Sequence, residues 1–92
     1  MEEIHCLEVH FRGRVQGVGF RWSTWKLAEN YPLVGYVKNL ANGSVEMIVE
    51  GEESTVKAFL SDLRDQMSTC IESCEIVESQ GFARFEEFAI IY

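Results

Sequence analysis

The sequence predicts an α+β fold in which strands and helices follow the order βαββαβ, with one further strand at the C-terminal side. Three observations predict it. Residues 4–12 alternate apolar and polar side chains, which is typical of a half-buried strand. Apolar residues recur at helical spacing in two later segments, within 20–31 and 56–67. Between these segments, Asn42-Gly43 is a strong signal for a tight hairpin turn.

The elements are expected in a fixed order along the chain: strand 4–12, helix 22–30 ended by Pro32, strands 33–39 and 44–51, a helix with its stripe at 56–67, and strands 71–79 and 85–92. This order is that of a ferredoxin-like α/β sandwich, an antiparallel sheet with two helices on one face. The first two strands are joined by a helix and run parallel, with the third strand between them. Their carboxyl ends therefore emerge at one edge, where the loop after the first strand and Asn39 can face one pocket.

A glycine-rich loop, residues 13–21 (GRVQGVGFR), lies between the first strand and the first helix. Glycine is used where φ is positive or where the backbone must approach a ligand. A loop that leads into a helix start presents unpaired N–H groups and the positive end of the helix dipole, which suit a phosphate. The spacing matches neither a Walker A motif nor a dinucleotide fingerprint, in which Trp22 would have to be glycine. From the glycines alone, a plain strand-to-helix connection remains an alternative.

The charge distribution limits the partners. A net charge of -7 and a pI near 4.7 argue against nucleic acid and against an anionic membrane, both of which require a basic face. Arg12, Arg14 and Arg21 nevertheless cluster in and beside the glycine loop, while acidic residues dominate the C-terminal half. An acidic protein that concentrates arginine at one loop is expected to use it for a small anion.

The length indicates a single domain, residues 1–92, and the cysteine content indicates a cytoplasmic protein. We further expect a monomer with no cofactor and no metal. The first residues contain no secretory signal, and no apolar run approaches membrane-spanning length. The cysteines are odd in number and lack a CxxC spacing, which favours reduced thiols. Zinc ligands can be assembled on paper, but their spacing fits no standard zinc pattern; the residues are His5, Cys6, His10, Cys70 and Cys74.

The glycine loop, Arg21 and Asn39 together resemble the acylphosphatase signature. The matching segments are residues 13–21, 35–39 (GYVKN), 42–46 (NGSVE) and the closing Phe88-x-Ile90-x-Tyr92, so the similarity covers nearly the whole chain. The resemblance implies hydrolysis of small-molecule acyl phosphates to a carboxylate and inorganic phosphate, without metal. It also implies that Arg21 binds the phosphate and that Asn39 orients the attacking water. The phosphate would be cradled by the backbone amides of Gln16, Gly17, Val18, Gly19, Phe20 and Arg21.

The residue types agree with that chemistry. The leaving group of an acyl phosphate is a carboxylate whose conjugate acid has a pKa of about 4.3, so protonating it gains little. The loose transition state leaves the enzyme mainly to position water and stabilise charge. Arginine offers a planar fork for phosphate oxygens, and an asparagine amide can both accept from and donate to water. A motif without a histidine or carboxylate cluster is then expected.

Some positions depart from the family pattern, and other functions remain open. Pro32 stands where glycine is common, and residues 66–67 and 70–75 replace a Gly-Pro turn and a more regular strand. Taken singly, Arg21 could be a solvated residue at the helix start and Asn39 a strand-end cap. One alternative function is a non-catalytic module that carries or senses phosphorylated metabolites. Another is RNA binding, which the net charge of -7 disfavours.

Overall fold

The computed structural model describes residues 3–92, so Met1 and Glu2 of the predicted domain lie outside the described residues. No helix in the described range is long and apolar enough to cross a membrane. Seven elements follow one another: β1 (Ile4–Gly13), α1 (Phe20–Ala28), β2 (Val34–Asn39), β3 (Val45–Gly51), α2 (Glu53–Gln66), β4 (Ile71–Gly81) and β5 (Phe88–Ile91). The predicted order of strands and helices is confirmed.

The five strands form one sheet in the order β4-β1-β3-β2-β5. β1 pairs antiparallel with β3 and β4, and β2 pairs antiparallel with β3, which places β3 between β1 and β2 as predicted. β5 runs parallel to β2, with Gly35 opposite Phe88. The sheet is therefore mixed rather than wholly antiparallel. The cause is the connection 82–87, which leads from β4 at one edge to the opposite edge, where β5 pairs with β2, and which reverses the chain direction.

Element boundaries shift by a few residues from those predicted. α1 begins at Phe20 rather than Trp22, because Gly19 adopts the left-handed conformation (φ 77°) directly before it. α1 ends at Ala28 rather than Asn30, where the backbone tightens into a turn. β5 begins at Phe88 rather than Phe85, because the Phe85 ring instead packs against the Tyr36 ring, 5.6 Å away between centroids.

Both helices pack on one face of the sheet, as predicted. The alternating residues of β1 that face them, Leu7, Val9 and Phe11, are fully buried. The rest of the core comes from the facing positions of β2 and β3, from both helices, and from the loop residues Val15, Leu33 and Met67. The strand and helix residues are Val37, Val45, Met47, Val49, Phe20, Ala28, Val56, Phe59, Leu60 and Leu63. Burial of this surface is the main driving force for folding and fixes where the strand ends lie.

The opposite face of the sheet carries polar side chains and a buried charge. Glu50 on β3 is 2% exposed, and its carboxylate accepts hydrogen bonds from the backbone N–H and Nε of Arg84, at 2.8 and 2.9 Å. A buried carboxylate is costly unless it is paired in this way. Arg84 belongs to the connection 82–87, so the ion pair fastens that connection to the sheet and sets where β5 begins.

Candidate active site

The glycine loop has buried ends and an exposed middle. Val15 and Phe20 are 1% and 2% exposed, and the Phe20 ring lies 5.1 Å from the Phe11 ring between centroids. Between these anchors, Gly17 and Gly19 have φ values of 76° and 77°, which disfavour any side chain with a Cβ. The sequence therefore makes a loop whose ends are fixed in the core and whose middle turns its backbone outward.

The backbone amides in the middle of this loop are unpaired, whereas the Arg14 N–H at its start donates to the carbonyl oxygen of Cys70 at 3.0 Å. Within residues 3–92, no hydrogen bond of the structure takes up the backbone N–H of Gln16, Gly17, Val18 or Gly19. The next two N–H groups, of Phe20 and Arg21, belong to the first turn of α1 and have no acceptor within the helix. No side chain caps α1. A row of free donors at the positive end of a helix dipole is a site suited to an anion.

The side chain of Gln16 holds the loop against the β2–β3 hairpin. Its Nε2 donates to the carbonyl oxygens of Leu40 at 2.8 Å and Ser44 at 2.9 Å. The hairpin itself is built as the sequence predicts, with the Asn42 side chain accepting from the Ser44 N–H at 3.0 Å and Gly43 at φ 91°. Because Leu40 directly follows the end of β2, Gln16 fixes the distance between the loop and that strand end.

Asn39 is the last residue of β2, and it has an unusual side chain. Its Oδ1 is buried, yet it has no hydrogen-bond partner among the described residues. Most buried polar atoms are paired, and leaving one unpaired costs about 1–3 kcal/mol. An unpaired buried acceptor beside an open pocket is the arrangement expected of a group that binds a ligand or a water there.

Arg21 lies on the first turn of α1 and reaches the C-terminal residues. Its Nη1 donates a long hydrogen bond, 3.4 Å, to the carbonyl oxygen of Ile91, and its Cζ lies 4.9 Å from the centroid of the Tyr92 ring. No carboxylate pairs with it among residues 3–92. A cation at a helix N-terminus is unfavourable by itself, which favours an anion nearby.

A pocket of about 190 Å³ brings these residues together. Arg21 and Asn39 both line it, although they come from different elements. Its full lining is Val15, Gly17, Gly19, Phe20, Arg21, Trp22, Asn39, Ile90 and Tyr92. Of the six loop residues predicted to bind phosphate, Gly17, Gly19, Phe20 and Arg21 line this pocket, whereas Gln16 and Val18 do not.

The other cationic residues noted in the sequence lie outside this pocket. Arg12 pairs with Glu75 across the β1–β4 ladder, its Nε 3.0 Å from Oε1. Arg14 and Lys38 are exposed and do not line the pocket. Arg21 is therefore the cation that lines it.

The residues considered as zinc ligands are spread over the fold. The Nε2 atom of His5 lies 2.7 Å from Oε1 of Glu78. Cys6 is buried on the sheet face that the helices leave uncovered, with its Sγ 3.5 Å from Nη2 of Arg84. Burial raises the pKa of the Cys74 thiol on β4. All three cysteines are free thiols.

One other cluster has metal-ligand residue types: Glu8, His10 and Glu46 lie together on the open sheet face. Both oxygens of the Glu46 carboxylate are already engaged, one by the Tyr36 hydroxyl and the other by His10 Nε2 at 3.2 Å. Both hydrogen bonds lower the pKa of Glu46, and the bond from Tyr36 has the larger effect. The cluster is thus a satisfied polar network that lies outside the pocket.

Sequence reasoning missed two features of the site. The pairing of the Gln16 side chain with two hairpin carbonyls had no sequence signal beyond the presence of an amide in a glycine loop. The contact of Arg21 with Ile91 and Tyr92 likewise joins residues 70 or more positions apart. The closing motif Phe88-x-Ile90-x-Tyr92 was the one available hint that the chain end belongs to the site.

A family model described as acylphosphatase matches residues 7–90. The chain belongs to the acylphosphatase family. An acylphosphatase of Acaryochloris marina is 35% identical over 91 residues, and the alignment covers 99% of this chain and 98% of that protein. The crystal structure of an acylphosphatase from Bacillus subtilis superposes with a TM-score of 0.85 at 29% identity, covering 96% of this chain and 99% of the other.

The same family domain also occurs within longer proteins. A probable carbamoyltransferase HypF of Methanocaldococcus jannaschii is 36% identical over 87 residues, which are 92% of this chain and 11% of that protein. The chain thus matches some relatives over nearly their full length and others over a small part. The shared part contains the glycine loop, Arg21 and Asn39.

Proposed function

We propose that this chain is a metal-independent acylphosphatase whose catalytic residues are Arg21 and Asn39. The observation that chiefly supports the proposal is the buried, unpartnered Oδ1 of Asn39, a residue that lines the same pocket as Arg21 and the unpaired loop amides. Family membership supports the same reaction class. The proposal names three roles: binding of the phosphate, placement of water and release of the carboxylate.

The phosphate of the substrate binds at the loop. The backbone N–H groups of Gln16, Gly17, Val18, Gly19, Phe20 and Arg21 point donors at its oxygens, and the Arg21 guanidinium adds a planar, permanently charged fork. The backbone donors are positioned before the substrate arrives, because Val15 and Phe20 at the loop ends are buried in the core. Preorganised donors of this kind stabilise charge that develops in the transition state.

Asn39 holds the attacking water. Its Oδ1 accepts a hydrogen bond from the water, which turns the oxygen lone pair toward phosphorus, while its amide N–H can donate to the water or to a phosphate oxygen. Orientation of a nucleophile removes much of the entropic part of the barrier. Because the phosphoryl transition state is loose, strong deprotonation of the water is unnecessary.

The reaction ends with a good leaving group. Water adds to phosphorus as the bond to the acyl oxygen breaks, and that electron pair leaves on the carboxylate. Of the two protons of the water, one stays on the transferred oxygen as a phosphate hydroxyl, and the other passes to a second phosphate oxygen or to solvent. A carboxylate with a conjugate-acid pKa of about 4 departs without a general acid, which is why the pocket can act without a histidine or carboxylic acid in its lining.

For the chain as a whole, the proposal includes a single domain over residues 1–92 acting as a cytoplasmic monomer on small acyl phosphates, with no nucleic-acid or membrane partner and no cofactor. The shared core of both helices and the sheet supports the single domain. The net charge of -7 supports the exclusion of nucleic acid and anionic membrane.

The test is phosphate release from acetyl phosphate in the presence of a chelator, with wild type, Arg21→Ala, Arg21→Lys and Arg14→Ala. We expect both Arg21 variants to lose nearly all turnover, since a point charge cannot replace a bidentate fork. Arg14→Ala, which removes an equal charge from an exposed loop position outside the pocket lining, should stay active. Substantial turnover by a folded Arg21→Ala protein would refute the assignment.

A further inference from the structure

The pocket has an apolar side that the phosphate chemistry does not use. Trp22 follows Arg21 directly and is 60% exposed, and the Tyr92 ring is 93% exposed. Both line the pocket, together with Ile90 from β5. Phosphate, water and carboxylate need polar groups, so neither exposed ring has a role in the reaction as described.

Exposed apolar residues are not scattered over this molecule. Within residues 3–92 one group of large exposed apolar residues lies along β4 and the connection after it: Ile76, Val77 and Phe82. Of the others, Val18, Trp22, Ile91 and Tyr92, two line the pocket, Trp22 and Tyr92. Single exposed apolar residues need no explanation, but a group that rims a pocket marks a binding surface.

We infer that Trp22 and Tyr92 form the binding surface for the acyl group, and that the enzyme favours acyl phosphates whose acyl group is aromatic or otherwise apolar over small or polar ones. The inference rests on the proposed function. With the phosphate held at the loop amides, the acyl group has to extend away from them within a pocket of about 190 Å³. Trp22 and Tyr92 line the same pocket as Arg21, so an acyl group that extends from the bound phosphate can reach their rings.

Tyr92 is held in place for this role. The Arg21 guanidinium lies 4.9 Å from the centroid of its ring, within the range of a cation–π contact. This contact places the Tyr92 ring of the acyl-binding surface next to Arg21, the residue proposed to bind the phosphate. Because both rings are widely exposed, the surface is open on one side. The preference for an apolar acyl group over a small one should therefore be modest, on the order of tenfold.

Binding of hydrolysis-resistant phosphonates tests the inference without any turnover. We would measure the Kd of benzylphosphonate and methylphosphonate by calorimetry for wild type, Trp22→Ala, Trp22→Phe and Trp25→Ala. Trp25 is a matched control, since it lies on the same helix but lines a separate groove with Tyr31 and Phe88. We expect wild type to bind the benzyl compound about tenfold more tightly than the methyl compound. Trp22→Ala should remove most of that preference, whereas Trp22→Phe and Trp25→Ala should keep it.

The corresponding kinetic readout is the ratio of kcat/KM for benzoyl phosphate to that for acetyl phosphate. Trp22→Ala should lower this ratio about tenfold, whereas Trp25→Ala, which lies outside the pocket, should change neither the ratio nor the acetyl phosphate turnover. An unchanged ratio, or an equal loss for both substrates, would overturn the inference. If wild type bound the phosphonates but hydrolysed neither substrate, the proposed function would fail while the apolar subsite stood.

Discussion

The Nε2 of Gln16 lies 2.8 Å from the carbonyl oxygen of Leu40, the residue that follows Asn39 at the end of β2. A second hydrogen bond from the same nitrogen reaches Ser44 at 2.9 Å. One amide thereby connects the phosphate loop to the strand end that carries Asn39. Both carbonyls also accept a backbone N–H within the hairpin, so the Gln16 bonds are additional to it.

Removing this connection should loosen the site more than it unfolds the protein. For Gln16→Ala we expect a loss of about 1–2 kcal/mol in the free energy of unfolding, the value of two hydrogen bonds whose acceptors keep other partners. The fall in kcat should be larger than stability alone explains, because the loop and Asn39 lose their common restraint. Urea unfolding and kcat should be measured with Gln66→Ala as the control, since Gln66 is exposed at the end of α2. A stable, fully active Gln16→Ala protein would show that the connection is dispensable.

Asn39 is expected to act on the reaction rather than on binding. Asn39→Ala should lower kcat by about 10²–10³, the usual effect of losing one group that acts in the transition state. It should leave the Kd of inorganic phosphate nearly unchanged and relieve the unpaired Oδ1, so the free energy of unfolding should not fall. Asn30→Ala, at an exposed position after α1, is the matched control. If phosphate affinity fell as far as kcat, Asn39 would be a phosphate ligand instead.

Gly35 on β2 is expected to tolerate no side chain. A Cβ there would lie 1.8 Å from the carbonyl oxygen of Ile48 on β3, and its φ is 144°. Strained backbone and overpacking each cost about 1–3 kcal/mol, so Gly35→Ala should lower the free energy of unfolding by roughly 3 kcal/mol or more. Gly81→Ala, where a Cβ meets no atom within 4 Å, should change it by less than about 0.5 kcal/mol. Denaturant unfolding of the two variants compares them directly, and equal stabilities would contradict the geometry.

The Tyr36–Glu46 hydrogen bond predicts a pH-dependent contribution to stability. This hydrogen bond lowers the pKa of Glu46 below the ordinary value of 4.5. The pKa of Tyr36 is raised, chiefly by burial of its hydroxyl and next by the hydrogen bond with Glu46. A carboxyl whose pKa is depressed in the folded state stabilises it above the unfolded pKa and loses that contribution as pH falls through the folded pKa. Tyr36→Phe should therefore be less stable than wild type at pH 7, and the difference should shrink below about pH 4. A difference that is constant from pH 7 to pH 3 would rule out the linkage.

Catalysis should require neither metal nor thiol. Replacing Cys6, Cys70 and Cys74 by serine should lower the melting temperature, chiefly through Cys6, which is 8% exposed. The rate should survive, because no thiol lines the pocket that holds Arg21 and Asn39. Chelation of the wild-type protein should also leave the rate unchanged. Loss of activity in either case, with circular dichroism showing a folded protein, would contradict the proposed mechanism.

Local patterns in the sequence predicted most of the architecture but only part of the site. The alternation in β1 and the Asn42-Gly43 turn follow from backbone geometry over a few residues, so they could be recognised without a structure. The ion pair of Glu50 and Arg84 joins residues 34 positions apart, and no periodicity encodes it. The parallel pairing of β5 with β2 depends on the path of the connection that this ion pair fastens, which is why the mixed sheet was not foreseen.

The pocket draws its walls from three stretches of chain: the loop and helix start at 15–22, the strand end at Asn39, and the C-terminal residues 90–92. Contacts between such distant positions form slowly, because the chain loses the entropy of closing a long loop before the contacts stabilise it. A partly folded chain that already has its helices and its hairpin therefore still lacks an active pocket. The recovery of phosphate release after dilution from denaturant would therefore report when β5 docks. The circular dichroism signal of the helices does not detect that late step.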